Sequence, residues 1–106
     1  MTMDFKQRVA IVTGAGQGMG RAHAMTLASR GARVVVNDVS APHAEVVVRE
    51  ILDAGGTAVV DTNDVSTTAP AIVDTALNAF DRLDIVVSNA GIIRVGLFSE
   101  QPEQEF

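Results

Sequence analysis

Apolar residues fall along this chain in two alternating rhythms, short unbroken runs and helical stripes, separated by glycine or polar turns. The first run, Arg8 to Thr13 with Val9, Ala10, Ile11 and Val12 at its centre, predicts a strand buried on both faces. From Gly18 to Arg30, Ala22, Met25 and Ala28 recur every three residues, which predicts a helix that Gly31 ends. Val34, Val35 and Val36 form a second strand, closing in Asn37 and Asp38. Ser40 and Pro42 suit the start of a second helix, whose stripe is Ala44, Val47, Val48, Ile51 and Leu52 and whose end is Gly55-Gly56.

Thr57 to Asp61 predicts a third strand, and Thr62-Asn63-Asp64-Val65 a polar exit from it. A third helix follows, with Ile72, Val73, Ala76, Leu77 and Phe80 on one face, Thr67 or Thr68 as cap and Pro70 in the first turn. Leu83 to Ser88 is the fourth strand. Asn89-Ala90-Gly91, an irregular segment to Ser99 and a helix start between Glu100 and Phe106 complete the chain. Strands alternating with helices imply right-handed βαβ crossovers and one parallel sheet. In nucleotide-fold topology its strand order is 3-2-1-4.

Composition narrows this α/β reading without changing it. The 106 residues make one domain at most, and 47 % apolar with 20 % charged residues is ordinary for a folded globular chain. A formal charge of −5 with scattered basic residues gives no footprint for nucleic acid or anionic lipid, so neither is expected as a partner. Without cysteine there is no disulfide or thiolate chemistry, and two isolated histidines make no metal site. The polar Met1 to Arg8 start and the lack of any apolar run near ~20 residues lead us to expect a cytoplasmic protein with no membrane partner.

The chemistry concentrates in Thr13-Gly14-Ala15-Gly16-Gln17-Gly18-Met19-Gly20, between the first strand and the first helix. Backbone N–H groups at a helix N-terminus attract phosphate, and a βα junction of this kind cradles a dinucleotide. The glycines do not fit the Gly-x-Gly-x-x-Gly spacing, so position carries the reading. Gly14 suits the tight turn, Gly18 the close approach to a pyrophosphate, and Gly20 the packing of helix on sheet. Asp38 stands at about the ~20-residue interval at which an acid hydrogen-bonds the adenosine ribose. Its carboxylate repels a 2′-phosphate, and the neighbouring Gln17 and Val39 are uncharged, so NAD is expected over NADP.

Thr13-Gly14-x-x-x-Gly18-x-Gly20, the acid after strand two, Asp64-Val65 after strand three and Asn89-Ala90-Gly91 after strand four together resemble the short-chain dehydrogenase/reductase family. That resemblance implies a partial Rossmann fold, a four-strand parallel sheet of order 3-2-1-4 flanked by helices and cut before a fifth strand, with residues 1–106 as the N-terminal, NAD-binding half of a single domain. It further implies backbone contacts from Gln17 and Met19 to the pyrophosphate, the adenine between Asp64 and Val65, and the nicotinamide ribose beside Asn89, Ala90 and Gly91. Ser88 stands where many members have another Asn. Val36-Asn37-Asp38 with Asn89-Ala90-Gly91-Ile92-Ile93-Arg94 is similar to the branch containing the 3-hydroxyacyl-CoA dehydrogenase units of peroxisomal multifunctional enzymes, and to bacterial relatives.

The family moves a hydride between NAD(H) and a secondary alcohol or ketone, using a Ser and a Tyr-x-x-x-Lys pair. This chain has no tyrosine, its one lysine is Lys6, and no serine follows Ser99. No catalytic residue is therefore assigned here, and no dehydrogenase turnover is expected of the 106 residues alone. A standalone NAD-binding or regulatory module is the alternative. The family resemblance implies a homo-oligomer. His23, His43, Glu100, Glu103 and Glu105 read as surface, capping or helix-terminus residues.

Overall fold

The computed structural model describes residues 5–88 and, as backbone, residues 91–98. Its elements are β1 Val9–Thr13, α1 Gly18–Ser29, β2 Arg33–Asn37, α2 Ala41–Asp53, β3 Thr57–Asp61, α3 Val65–Phe80, β4 Leu83–Ser88 and β5 Gly91–Phe98. The sheet runs β3-β2-β1-β4-β5. The first four are parallel to one another, with Val12 opposite Val36 on one side and Val87 on the other, and Val36 opposite Val60. This is the expected 3-2-1-4 core.

The valine runs form strands because both sheet faces are covered. Val34 and Val36 pack with Val12 and Val87 against Ala24 and Ala28 of α1 and Ala44, Val47 and Ile51 of α2. Val35, one residue out of step, joins Val9, Ile11 and Leu83 under Ile72 and Ala76 of α3. Alternate side chains thus enter opposite layers, which is why the runs are continuously apolar.

Four local expectations change. The buried face of α1 is Ala24 and Ala28, not Ala22, which is exposed. Spacing by four aligns two small side chains toward the sheet and lets the helix approach closely. In α2, the stripe is Ala44, Val47, Val48 and Ile51, while Leu52 is 51 % exposed. The cap of α3 is Asp64, not Thr67 or Thr68. Thr68 is non-helical (φ −131°, ψ 38°), dividing α3 into two pieces. Pro70 accounts for the break, because its ring crowds the carbonyl of the residue four earlier.

The segment read as irregular contains β5, antiparallel to β4 with Ser88 opposite Gly91 and Val87 opposite Ile92. A bare β4 edge would leave a row of backbone donors and acceptors unpaired, and Ile92, Ile93 and Val95 are β-branched residues suited to an extended strand. The helix start expected at 100–106 lies outside the described residues. No described helix is long and apolar enough to cross a membrane.

Two buried carboxylates stitch the sheet at opposite ends. At its N-terminal end, Asp84 Oδ2 accepts from the Val9 N–H at 2.8 Å, and the Arg82 guanidinium grips both oxygens at 2.9 and 2.7 Å. Burial pushes the Asp84 carboxyl up, but the Arg82 and Val9 hydrogen bonds, with the charges of Arg82 and Arg8, hold it below its usual value. Asp61 does the equivalent work at the other end.

Candidate nucleotide site

β1 delivers the chain to the C-terminal edge of the sheet, where residues 14–17 turn into α1. Gly14 and Gly18 take φ of +61° and +62°, the left-handed region that glycine enters without cost. A Cβ at Gly20 would fall on the Gly14 carbonyl and within 3.0 Å of Ala15 Cα, so helix and loop touch there through backbone. The Ala15 N–H donates to the Asn37 carbonyl at 2.8 Å, fastening the loop to β2. Thr13 Oγ1 donates to the Val87 carbonyl at 3.4 Å, tying β1 to β4 where the strand order reverses.

Of the three described helices, α1 alone has no side-chain cap: Gln17 makes no capping bond, whereas Ser40 and Asp64 cap α2 and α3. Its first turn contains no acid. The N–H groups there have no carboxylate of their own, and an anion is the complementary partner. Gln17 and Met19 are exposed around this opening, Met19 at 76 %.

Asp38 follows β2, its N–H donating to the Asp61 carbonyl at 3.0 Å. Its carboxylate is half-buried and held twice: Oδ2 accepts from the Gly16 N–H and Oδ1 from the Ser40 N–H, each at 2.9 Å. An ionised carboxylate offers about four acceptor positions, so roughly two stay open for a ligand's hydroxyl groups. The glycine loop, the bare end of α1 and Asp38 therefore lie together at the C-terminal edge of the sheet.

The β3–α3 side is polar in a way that the sequence did not disclose. Asp61, 4 % exposed, accepts from Asn37 Nδ2 (2.9 Å), the Asn63 N–H (2.9 Å), Asn63 Nδ2 (3.0 Å) and Thr75 Oγ1 (2.5 Å). Burial raises its carboxyl pKa, and the donors from Thr75, Asn63 and Asn37 outweigh it, leaving the group below its usual value. An acid closing a valine strand was the available signal, but nothing in the string of residues pairs it with Asn37 or Thr75.

Asp64 spends its Oδ1 on the cap of α3, accepting from the Ser66 N–H at 2.9 Å and the Ser66 hydroxyl at 2.7 Å. The hydroxyl, then the N–H, hold this exposed carboxyl below its ordinary value. Val65 is half exposed, at 50 %. Asn89 and Ala90 lie outside the described residues, and Gly91 pairs with Ser88 at the start of β5.

The profile of the short chain dehydrogenase family matches residues 8–106. The chain belongs to that family. Peroxisomal hydratase-dehydrogenase-epimerase of Saccharomyces cerevisiae is 42 % identical over 113 residues, covering 98 % of this chain and 13 % of that protein. Peroxisomal multifunctional enzyme type 2 of Drosophila melanogaster is 47 % identical, covering 93 % and 18 %. Among solved structures, a short chain dehydrogenase from Mycobacterium avium superposes with a TM-score of 0.78 at 46 % identity, covering 87 % of this chain and 36 % of that one. A 7α-hydroxysteroid dehydrogenase, solved with NADH and 7-oxo glycochenodeoxycholic acid, gives 0.76 at 38 % identity, covering 78 % and 33 %. The chain thus spans well under half the length of these relatives. The glycine loop after β1 lies beside the β1–β4 boundary, where the strand order reverses and open α/β sheets bind ligands, and Asp38 follows the next strand, β2.

Proposed function

We propose that this chain binds NAD(H), and that the protein transfers a hydride between NAD(H) and a secondary alcohol or ketone. The observation that carries the reading is the pairing of an uncapped α1 N-terminus with the fixed Asp38 carboxylate across the glycine loop. Gly14, Gln17, Gly18, Met19 and Gly20 hold the pyrophosphate, and Asp38 the adenosine ribose. Asp64 and Val65 border the adenine; Asn89, Ala90 and Gly91 pass the nicotinamide ribose. At Gly14 and Gly18 a Cβ would meet nothing within 4 Å among the described residues beyond the adjoining backbone, which leaves room for such a ligand. NAD supplies the hydride acceptor; these residues bind and orient it.

Substrate chemistry needs a proton donor and acceptor, and these 106 residues contain no tyrosine and no lysine after Lys6. These residues supply the cofactor side of that reaction, and a standalone NAD-binding or regulatory module without catalysis is the second reading. Cytoplasmic residence and homo-oligomeric assembly belong to the same proposal.

NADH and NADPH fluorescence titrations of the complete protein test it. Saturable NADH binding is expected, at least about 100-fold tighter than NADPH, with Asp38→Ala narrowing the gap by weakening NADH. NAD reduction should then follow with a secondary alcohol, 3-hydroxyacyl thioesters being the first class to try. Failure of NADH to saturate at millimolar concentration contradicts the binding reading; binding without reduction across a panel of secondary alcohols favours the module.

A further inference from the structure

Gly14 and Gly18 are glycines because their φ values demand it, but Gly16 is not among the positive-φ residues. Its neighbours impose the requirement. A Cβ at Gly16 would lie 2.6 Å from His43 Cβ and 2.7 Å from Asp38 Oδ2, far inside contact distance. The same residue donates its N–H to that Oδ2 at 2.9 Å. Ser40 holds the other oxygen through its N–H, and its own Oγ accepts from the His43 N–H at 3.4 Å. Gly16 and Ser40 therefore hold the Asp38 carboxylate through both oxygens, and His43 Cβ takes up the space that a side chain at Gly16 would need.

We infer that Gly16 is a positioning residue for cofactor choice: it locks the Asp38 carboxylate in a single orientation, so that the acid meets the ribose hydroxyls of NAD and does not rotate aside for a 2′-phosphate. The inference rests on the NAD-binding reading above. Two donors hold the two oxygens in place before any ligand arrives, so the carboxylate loses little further freedom when NAD binds. An alanine at Gly16 displaces the Asp38 carboxylate, the end of a short side chain, and also meets His43 Cβ, which only a shift of the loop or of α2 relieves. The same displacement removes the acid from the place where discrimination is made.

The test is a double-mutant cycle on the complete protein, read as NADH and NADPH dissociation constants with Tm as the folding control. Gly16→Ala should weaken NADH about tenfold and NADPH less than about threefold, so the preference narrows. In an Asp38→Gly/His43→Gly background the same substitution should change NADH affinity less than about twofold, because both groups it meets are gone. His43→Gly added to Gly16→Ala should not restore NADH binding, since the clash with Oδ2 persists. Equal losses for both cofactors in both backgrounds, no loss at all, or full recovery with His43→Gly would each overturn the inference.

Amide exchange supplies a readout that does not depend on a variant folding. The Gly16 N–H of the unsubstituted protein should be protected and stay protected with NADH bound. Exposure on adding NADH would show that Asp38 leaves Gly16 to reach the ribose, which overturns the positioning role. If NADH does not bind the unsubstituted protein, the function reading fails first and this one with it; binding with an additive cycle sinks the positioning role alone.

Discussion

At the scale of single residues, the site and the sheet that carries it depend on places where a side chain is forbidden and on carboxylates that are fully occupied. Gly20 is the first kind: its missing Cβ is the space taken by the Gly14 carbonyl. Gly20→Ala should cost about 1–3 kcal/mol, the usual cost of overpacking, read as a lower urea midpoint with unchanged slope. Asp84 and Asp61 are the second kind. Both carboxyls titrate below their usual value in the folded chain, so their stabilisation is present above the unfolded value and lost as pH falls through the folded one. Stability should accordingly decline from about pH 4 downward, and Asp84→Asn should make that decline shallower while lowering the midpoint at neutral pH. An equally steep acid limb in Asp84→Asn would contradict the assignment. The sequence announced Gly20 and Asp38 because residue type and position coincide there. It was silent on Asp84, whose hydrogen-bond partner Val9 lies 75 positions away.

At the scale of elements, what could be read was whatever repeats. Valine runs buried on both faces and the stripe through Ile72 and Ala76 announce themselves, and the βαβ rhythm then orders the four parallel strands. What escaped depends on single contacts at element ends. The start of α3 was misplaced because Thr67 and Thr68 look like caps, whereas Asp64 makes the capping bonds and Thr68 marks the break before Pro70. Strand β5 escaped because its pairing follows from the exposed edge of β4, not from any periodicity of its own. Asp64→Ala removes the cap and should lower stability by about 1 kcal/mol in a denaturant titration. If Asp64 also borders the adenine, Asp64→Ala weakens NADH as well, whereas Ser66→Ala, which removes only the hydroxyl donor to that carboxylate, leaves NADH affinity unchanged.

At the scale of the whole molecule, a parallel sheet sends its strand ends, and the loops that leave them, to one edge. The glycine loop after β1, Asp38 after β2 and the Asp61 network after β3 meet there because the topology sends them there, not because they are close in sequence. The glycine loop was legible from its position between the first strand and the first helix, and Asp38 from its interval after that loop. The Asp61 network, built from Asn37, Asn63 and Thr75, was not, because its members come from three elements and share no motif. This edge should hold a dinucleotide, with phosphates on α1 and ribose on Asp38. Titrating NAD into the 15N-labelled protein and mapping the amide shifts tests it most directly. Saturable shifts are expected at Gly14, Gly18, Met19, Asp38 and Val65. Shifts absent at millimolar NAD, or confined to the opposite end of the sheet around Val9 and Asp84, would contradict it.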